Sequence, residues 1–209
     1  MKETLKQRIY NAIWDGIVNG EYPAEYVFNE KALVEKFHVS KSPVRDALIE
    51  LCSDGILRSI PRYGYEIVKI TSRDLQDITR IRSLIELENL NSMVGRLSPE
   101  QIAQVKAQIL QVDQMLQAGS LNVRQHWENN MAFHKLLYRM SNNQFGASLL
   151  ERCLKAETVA YSTYCLYGTD QCEKLDTSGH WAIIKCLEAG DREGTLEALR
   201  SDLAALQLR

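Results

Sequence analysis

Lys41, Ser42, Arg45 and Ile49 are spaced to share one face of a single helix. An arginine there can form paired hydrogen bonds to the O6 and N7 of guanine. Lysine, serine and helix N-terminal amides hold phosphates. Cationic and hydroxyl groups at a helix N-terminus are therefore the chemistry of a major-groove reader. The opposite face carries Val44, Ala47, Leu48 and Leu51 at i, i+3, i+4 and i+7, a stripe to be buried. Ser42 is placed to cap the helix. Pro43 suits the first helical position, where its missing N–H costs nothing. An ordinary surface helix with two basic residues fits the same string, so the neighbouring elements decide.

Upstream, the pattern predicts a helix over residues 29–37, with Ala32, Leu33 and Phe37 on its apolar side and His38-Val39 as a tight connection. Helix, short turn and helix make the helix-turn-helix unit. Downstream, Gly55 ends the reader helix, and two strands are expected over 56–60 and 65–68 around Pro61-Arg62-Tyr63-Gly64. This hairpin has a basic, aromatic tip, Arg62 and Tyr63, suited to phosphates or to the minor groove. A first amphipathic helix over 3–19 buries Leu5, Ile9, Ala12, Ile13 and Ile17 and ends at Gly20. Residues 1–70 thus read as a winged helix-turn-helix of three helices and a small β-hairpin.

At Thr71 the pattern changes. Thr71 and Asp74 make a capping-box-like start, and from there the chain reads as all helical. Leu75, Ile78, Ile81, Ile85 and Leu90 line the first of these helices. Ser98-Pro99-Glu100-Gln101 starts the next, whose Ile102, Val105, Ile109, Val112 and Leu116 alternate spacings of three and four before Gly119. Further helices are expected over about 122–140, 145–167 and 170–189, and from 191 onward. The fold class is therefore mainly α: a winged helix-turn-helix over 1–70, then an antiparallel bundle of about six helices over 71–209.

The composition bounds this reading. With 209 residues, 45% hydrophobic and 25% charged, the chain suits one large or two modest globular domains. It has no apolar run long enough to span a bilayer and no signal peptide, so cytoplasm is the expected location. Cys52, Cys153, Cys165, Cys172 and Cys186 show no Cys-x-x-Cys spacing and read as reduced thiols. The net charge of -2 does not advertise nucleic-acid binding. The DNA reading rests on where the charges sit, with base contacts and dimerisation expected to supply most of the affinity.

With these pieces in place, residues 5–68 resemble the winged helix-turn-helix of GntR-family transcriptional regulators, through "ALVEKFHVSKSPVRDALIELCSDGIL" followed by "PRYGYEI". Residues 75–209 resemble the all-helical FCD effector domain of the FadR-like subgroup. The matching pieces are "ITRIRSLIE", "NNMAFHKLLYRMSNN" and "GHWAIIKCLEAGDREGTLEALRSDL". The resemblance implies that Arg45 reads a guanine and that Lys41 is the basic residue opening the reader helix. It implies that Lys31, Ser40 and Ser42 touch phosphates or base edges and that Gly64 is the wing-tip glycine. The usual Pro-Gly after the first helix is here Pro23-Ala24.

The resemblance also implies a divalent metal inside the bundle, held by an Asp or Asn and three histidines. Asn130 and His134 match the first pair, His180 matches the next histidine, and Asp202 stands where the third is expected. This mixed nitrogen and oxygen set leaves zinc, nickel or manganese open and should bind more weakly than a three-histidine site. Arg82 matches an arginine that faces an effector carboxylate, and an i, i+4 ion pair with Glu86 explains it equally well. His126 falls on the stripe of His134, as a spare ligand or, preferably, a solvated histidine. Tyr161, Tyr164 and Tyr167 read as pocket lining or as ordinary packing.

The expected function is a ligand-responsive DNA-binding regulator, a homodimeric repressor of a catabolic operon that binds a small carboxylate, and not an enzyme. One alternative keeps the regulator with a metal-free effector pocket. A metal-dependent hydrolase would need a general base beside the metal, and no such motif is present.

Overall fold

The computed structural model describes residues 3–23, 25–121, 123–167 and 176–205. Contacts divide the chain into two compact units, Met1–Leu75 with Lys155–Thr169, and Gln76–Leu154 with Asp170–Arg209.

The first unit opens with α1 (Leu5–Val18), capped by the Thr4 side chain, which accepts from the Gln7 amide. A short strand β1 (Val27–Phe28) leads into α2 (Glu30–Phe37). Asn29 caps α2 by accepting from the Lys31 and Ala32 amides, and His38 closes it in the left-handed conformation. Then come α3 (Lys41–Ser53), β2 (Leu57–Ile60) and β3 (Gly64–Ile67). The sheet has three strands in the order β1-β3-β2, all antiparallel, not the two-stranded hairpin expected. β1 is two residues long, too short to show a period of its own. Val44, Ala47, Leu48 and Leu51 of α3 are fully buried against Ile9, Ile13 and Ile17 of α1, Phe28 and Leu33.

By contacts, residues 155–169 group with the first unit. Lys155 donates to Asp54 at 2.7 Å, Tyr10 donates to the same carboxylate oxygen at 2.6 Å, and Val159 joins the apolar cluster of α1 and α3. Helical periodicity cannot show that one long helix serves two cores.

The second unit is built on α4 (Ser72–Met93) from Gln76 onward, α5 (Pro99–Gln117), α6 (Val123–Arg139), α7 (Gln144–Tyr167) as far as Leu154, α8 (Ser178–Ala189) and α9 (Arg192–Ala205). That is six bundle helices among the described residues, as the sequence predicts. The Thr71–Asp74 start is present, with reciprocal bonds of 2.9 and 3.1 Å. Ser98 and Gln101 form the full capping box. The core gathers Leu90 and Met93 from α4, Val105 and Ile109 from α5, and Phe133 and Leu137 from α6. Ile183 and Ile184 from α8 and Leu199 and Leu203 from α9 complete it. The helix expected over 170–189 is described only from Ser178. The side chains of Tyr164, Tyr167 and Cys165, together with Cys172 and Ala24, lie outside the described residues. Cys52 and Cys186 are free thiols. Among the described residues no helix is long and apolar enough to cross a membrane.

Candidate nucleic-acid interface and metal centre

The reader helix starts two residues earlier than its sequence suggests. Ser40 is the N-cap, without a side-chain cap bond, and Ser42 instead lies 3.4 Å from the Asp46 carboxylate. Ser42 is therefore not the cap. Pro43 occupies the third helical position, still within the first turn, where no carbonyl waits for its N–H. This leaves Lys31, Ser40, Lys41, Ser42 and Arg45 on the exposed surface, with Ile49 54% exposed beside them. At the wing tip Arg62 adopts a left-handed φ of 69° and Tyr63 is 74% exposed. Gly64 has a structural reason to be glycine. Its φ is 139°, and a Cβ there would stand 2.3 Å from the Phe28 carbonyl oxygen of the neighbouring strand.

The feature that sequence reasoning missed on this face is Glu30, in the first turn of α2. Its carboxylate lies 3.0 Å from Lys41 Nζ and accepts from Arg45 Nε at 3.1 Å and Nη2 at 3.3 Å. Tyr65 of β3 donates to it at 3.2 Å. The bond from Arg45 leads the effects that hold the Glu30 carboxyl below the usual range, against the cost of burial. No local spacing announces this contact, because Glu30 and Arg45 are fifteen residues apart.

Inside the second unit, α6, α8 and α9 bring the predicted ligands together. One donor atom each from His134, His180 and Asp202 lies within 4.8 Å of the others. Two ligands each about 2.0–2.2 Å from a common ion stand roughly 3–4 Å apart, so a small inward adjustment suffices. His134 Nε2 and Asp202 Oδ2 are 3.1 Å apart, yet they lack hydrogen-bond alignment, and neither atom has a hydrogen-bond partner. Asn130 Oδ1 is buried without a partner as well, while its Nδ2 lies 3.3 Å from His180 Nε2. His134 Nε2 and Asp202 Oδ2, buried side by side without a hydrogen bond, carry a desolvation cost that a cation between them would remove. By donor type and spacing, His134, His180 and Asp202 fit a divalent metal, and Asn130 beside His180 would add its amide oxygen on turning its amide over.

Two further features shape the donors. Glu86 accepts from His134 Nδ1 at 2.7 Å and from Arg82 Nε at 2.6 Å. A proton on Nδ1 leaves the Nε2 lone pair aimed at the cluster, the arrangement typical of metal-bound histidine. Burial opposes charge on Glu86, but His134 and Arg82 outweigh it and hold its carboxyl at about 2. Burial pushes His180 down to about 3, so its ring is neutral and able to donate a lone pair. Phe133 stacks on that ring at 3.7 Å between centroids. Gly179 makes room for the acid, since a Cβ there would stand 2.2 Å from Asp202 Oδ1.

Arg82 is fully buried and bonded to Glu86, the ion-pair reading of its spacing, so it bears on the cluster through Glu86 and His134. His126 is half-buried rather than solvated. Its Nδ1 is shielded and unpartnered, and burial lowers its pKa.

An N-terminal winged helix-turn-helix with an exposed basic reader helix, followed by a helical bundle with an internal polar centre, defines a DNA-binding regulator with a sensing domain. Residues 5–67 match the model for bacterial regulatory proteins of the gntR family, and residues 77–205 match the FCD domain. The chain belongs to the GntR family, with an FCD domain as its second part, and it is a transcriptional regulator rather than an enzyme. It is 28% identical over 171 residues to the HTH-type transcriptional regulator McbR of Escherichia coli, covering 81% of this chain and 76% of that one. It is 28% identical over 144 residues to YdhC of Bacillus subtilis, covering 69% of this chain but 64% of the relative. A probable D-xylose utilization operon transcriptional repressor of Paenarthrobacter nicotinovorans is 25% identical over 98% of this chain and 88% of its own. The solved structure of E. coli McbR/YncC shares the fold, with a TM-score of 0.78, 22% identity and 98% of both chains covered.

Proposed function

We propose that this protein is a cytoplasmic homodimeric repressor, released from its operator by a small carboxylate that its FCD domain reads through a divalent metal. The observation carrying the proposal is the set of open, buried donor atoms on Asn130, His134 and Asp202, with His134 oriented by Glu86. Asn130, His134, His180 and Asp202 would hold zinc, nickel or manganese, and a bound cation would supply positive charge for the carboxylate. Arg82, Glu86 and Phe133 keep the histidine rings in place. On the DNA side, Lys31, Ser40, Lys41, Ser42 and Arg45 would meet the major groove and its phosphates, with Arg62 and Tyr63 at the flanking backbone. Ile81 and Leu84, 52% and 61% exposed on α4, support pairing with a second copy. Repressor names among the relatives support the sign of regulation.

The test is a duplex selected from a randomised pool by the wild-type protein. We expect an inverted repeat, released by members of a carboxylate panel only when divalent cation is present. Release that persists at full strength after chelation would leave a metal-free pocket as the correct reading. In that form the contacts of Asp202 with His134 and of Asn130 with His180 would tighten into ordinary hydrogen bonds.

A further inference from the structure

We infer that Glu30 is a specificity-determining residue of the DNA-reading face: it occupies Lys41 and Arg45 until the base edges of a matching site compete for them. The inference rests on α3 as the reader helix and goes beyond it by assigning the residue that restrains that helix.

The carboxylate sits where a phosphate or a base acceptor would otherwise be bound. It contacts Lys41 Nζ at 3.0 Å and Arg45 at 3.1 and 3.3 Å. The Glu30 side chain is 19% exposed, against 64% for Lys41 and 52% for Arg45. The acid is thus fixed and the cations are the parts free to move. Two features hold Glu30 in place independently of its salt bridges. The Tyr65 hydroxyl donates to it from β3, and its position in the first turn of α2 is favourable for an acid.

A cation paired with Glu30 gains little by exchanging one anion for another. A phosphate of unrelated sequence offers only such an exchange. A guanine in register offers paired acceptors with fixed geometry, which a phosphate of unrelated sequence does not. Arg45 uses Nε and Nη2 on Glu30, and Nη1 takes no part in those bonds. Base contact can therefore begin at Nη1 before the ion pair is released. Exposed pairs of this kind are weak, so they can be exchanged during binding. The carboxylate thereby suppresses sequence-independent binding more than it weakens binding to the matching site.

The experiment compares the full-length wild type with Glu30→Gln on two duplexes. One is a mixed-sequence duplex, and the other is the duplex that wild type enriches from a randomised pool. Each is titrated between about 50 and 200 mM salt. Freeing two cations for phosphate adds about 1.8 per protomer to the salt slope. The variant should bind the mixed duplex more tightly, and the gain should be larger at the low-salt end than at the high-salt end by about tenfold per protomer, or roughly a hundredfold for the dimer. The ratio of selected to mixed affinity should fall. Glu30→Ala repeats the measurement without an amide that could keep the old hydrogen bonds. An unchanged mixed-duplex affinity and salt slope in both variants, at unchanged melting temperature, overturns the inference. So does a loss confined to the selected duplex, which would make Glu30 a direct base reader. The reader-helix assignment fails separately, if Arg45→Ala footprints like wild type.

Discussion

Two carboxylates hold two different parts of this molecule, and each is bonded to an arginine. Glu30 lies at the surface between Lys41 and Arg45, both more than half exposed. Glu86 lies inside the bundle between Arg82 and His134, with all three residues at 4% exposure or less. The chemistry is nearly the same and the consequences differ. At the surface, water competes for every partner, so the ion pairs are cheap to break and suit a face that must exchange partners with DNA. In the bundle no water competes, and an uncompensated charge is expensive, so the same contacts fix a ring orientation. One carboxylate restrains groups that must move, and the other immobilises groups that must not.

Removing each acid and measuring unfolding separates the two environments. Glu86→Ala leaves Arg82 and His134 without their carboxylate in the core and should cost about 3–5 kcal/mol in denaturant unfolding. A cost below about 1 kcal/mol, the level of a surface pair, would show that Glu86 is not a buried anchor. The second test is on the DNA side. Arg45→Ala should lose about 1–3 kcal/mol per half-site on the selected duplex, with circular dichroism and sedimentation unchanged. Equal losses on selected and mixed duplexes would reduce Arg45 to a phosphate contact.

Most of the scaffold can be read from the sequence because it follows local rules. The α3 stripe, the Ser98 capping box and the Thr71–Asp74 start depend on residues within seven positions of one another, and all three are present. β1 is not legible because two residues carry no period, and it is a strand only by pairing with β3, Phe28 opposite Tyr65. The start of α3 was misplaced because Ser40 and Ser42 are equally good caps on paper. The ligand set came from resemblance, and what organises it could not be read. Glu86 and His134 are 48 residues apart, and Phe133 reveals its stack on His180 only in three dimensions. Gly179 likewise has no local signature, and only the fold shows it as the place where a missing Cβ admits Asp202.

That glycine supplies the third test. Gly179→Ala should push the Asp202 carboxylate out of the cluster and weaken divalent-cation affinity by about 10–100-fold, with helix content retained. Wild-type affinity would mean that Asp202 does not contribute to the cluster. The smallest expected effect is the stability change in Glu30→Ala, below about 1 kcal/mol in the same unfolding experiment. The carboxyl of Glu30 is held below its ordinary value, so its contribution is complete above the normal carboxylate range and is lost as pH falls through it. A stability loss in Glu30→Ala comparable to that of Glu86→Ala would erase the distinction between an exchangeable surface clamp and a fixed interior one.

The most direct test of the central claim is the metal content of untagged protein, purified without chelator and reconstituted with zinc, nickel or manganese. About one ion per chain is expected, lost in His134→Ala and Asp202→Ala and retained in Arg45→Ala. No bound ion in the reconstituted wild type, or stoichiometric metal retained in both cluster variants, would contradict it.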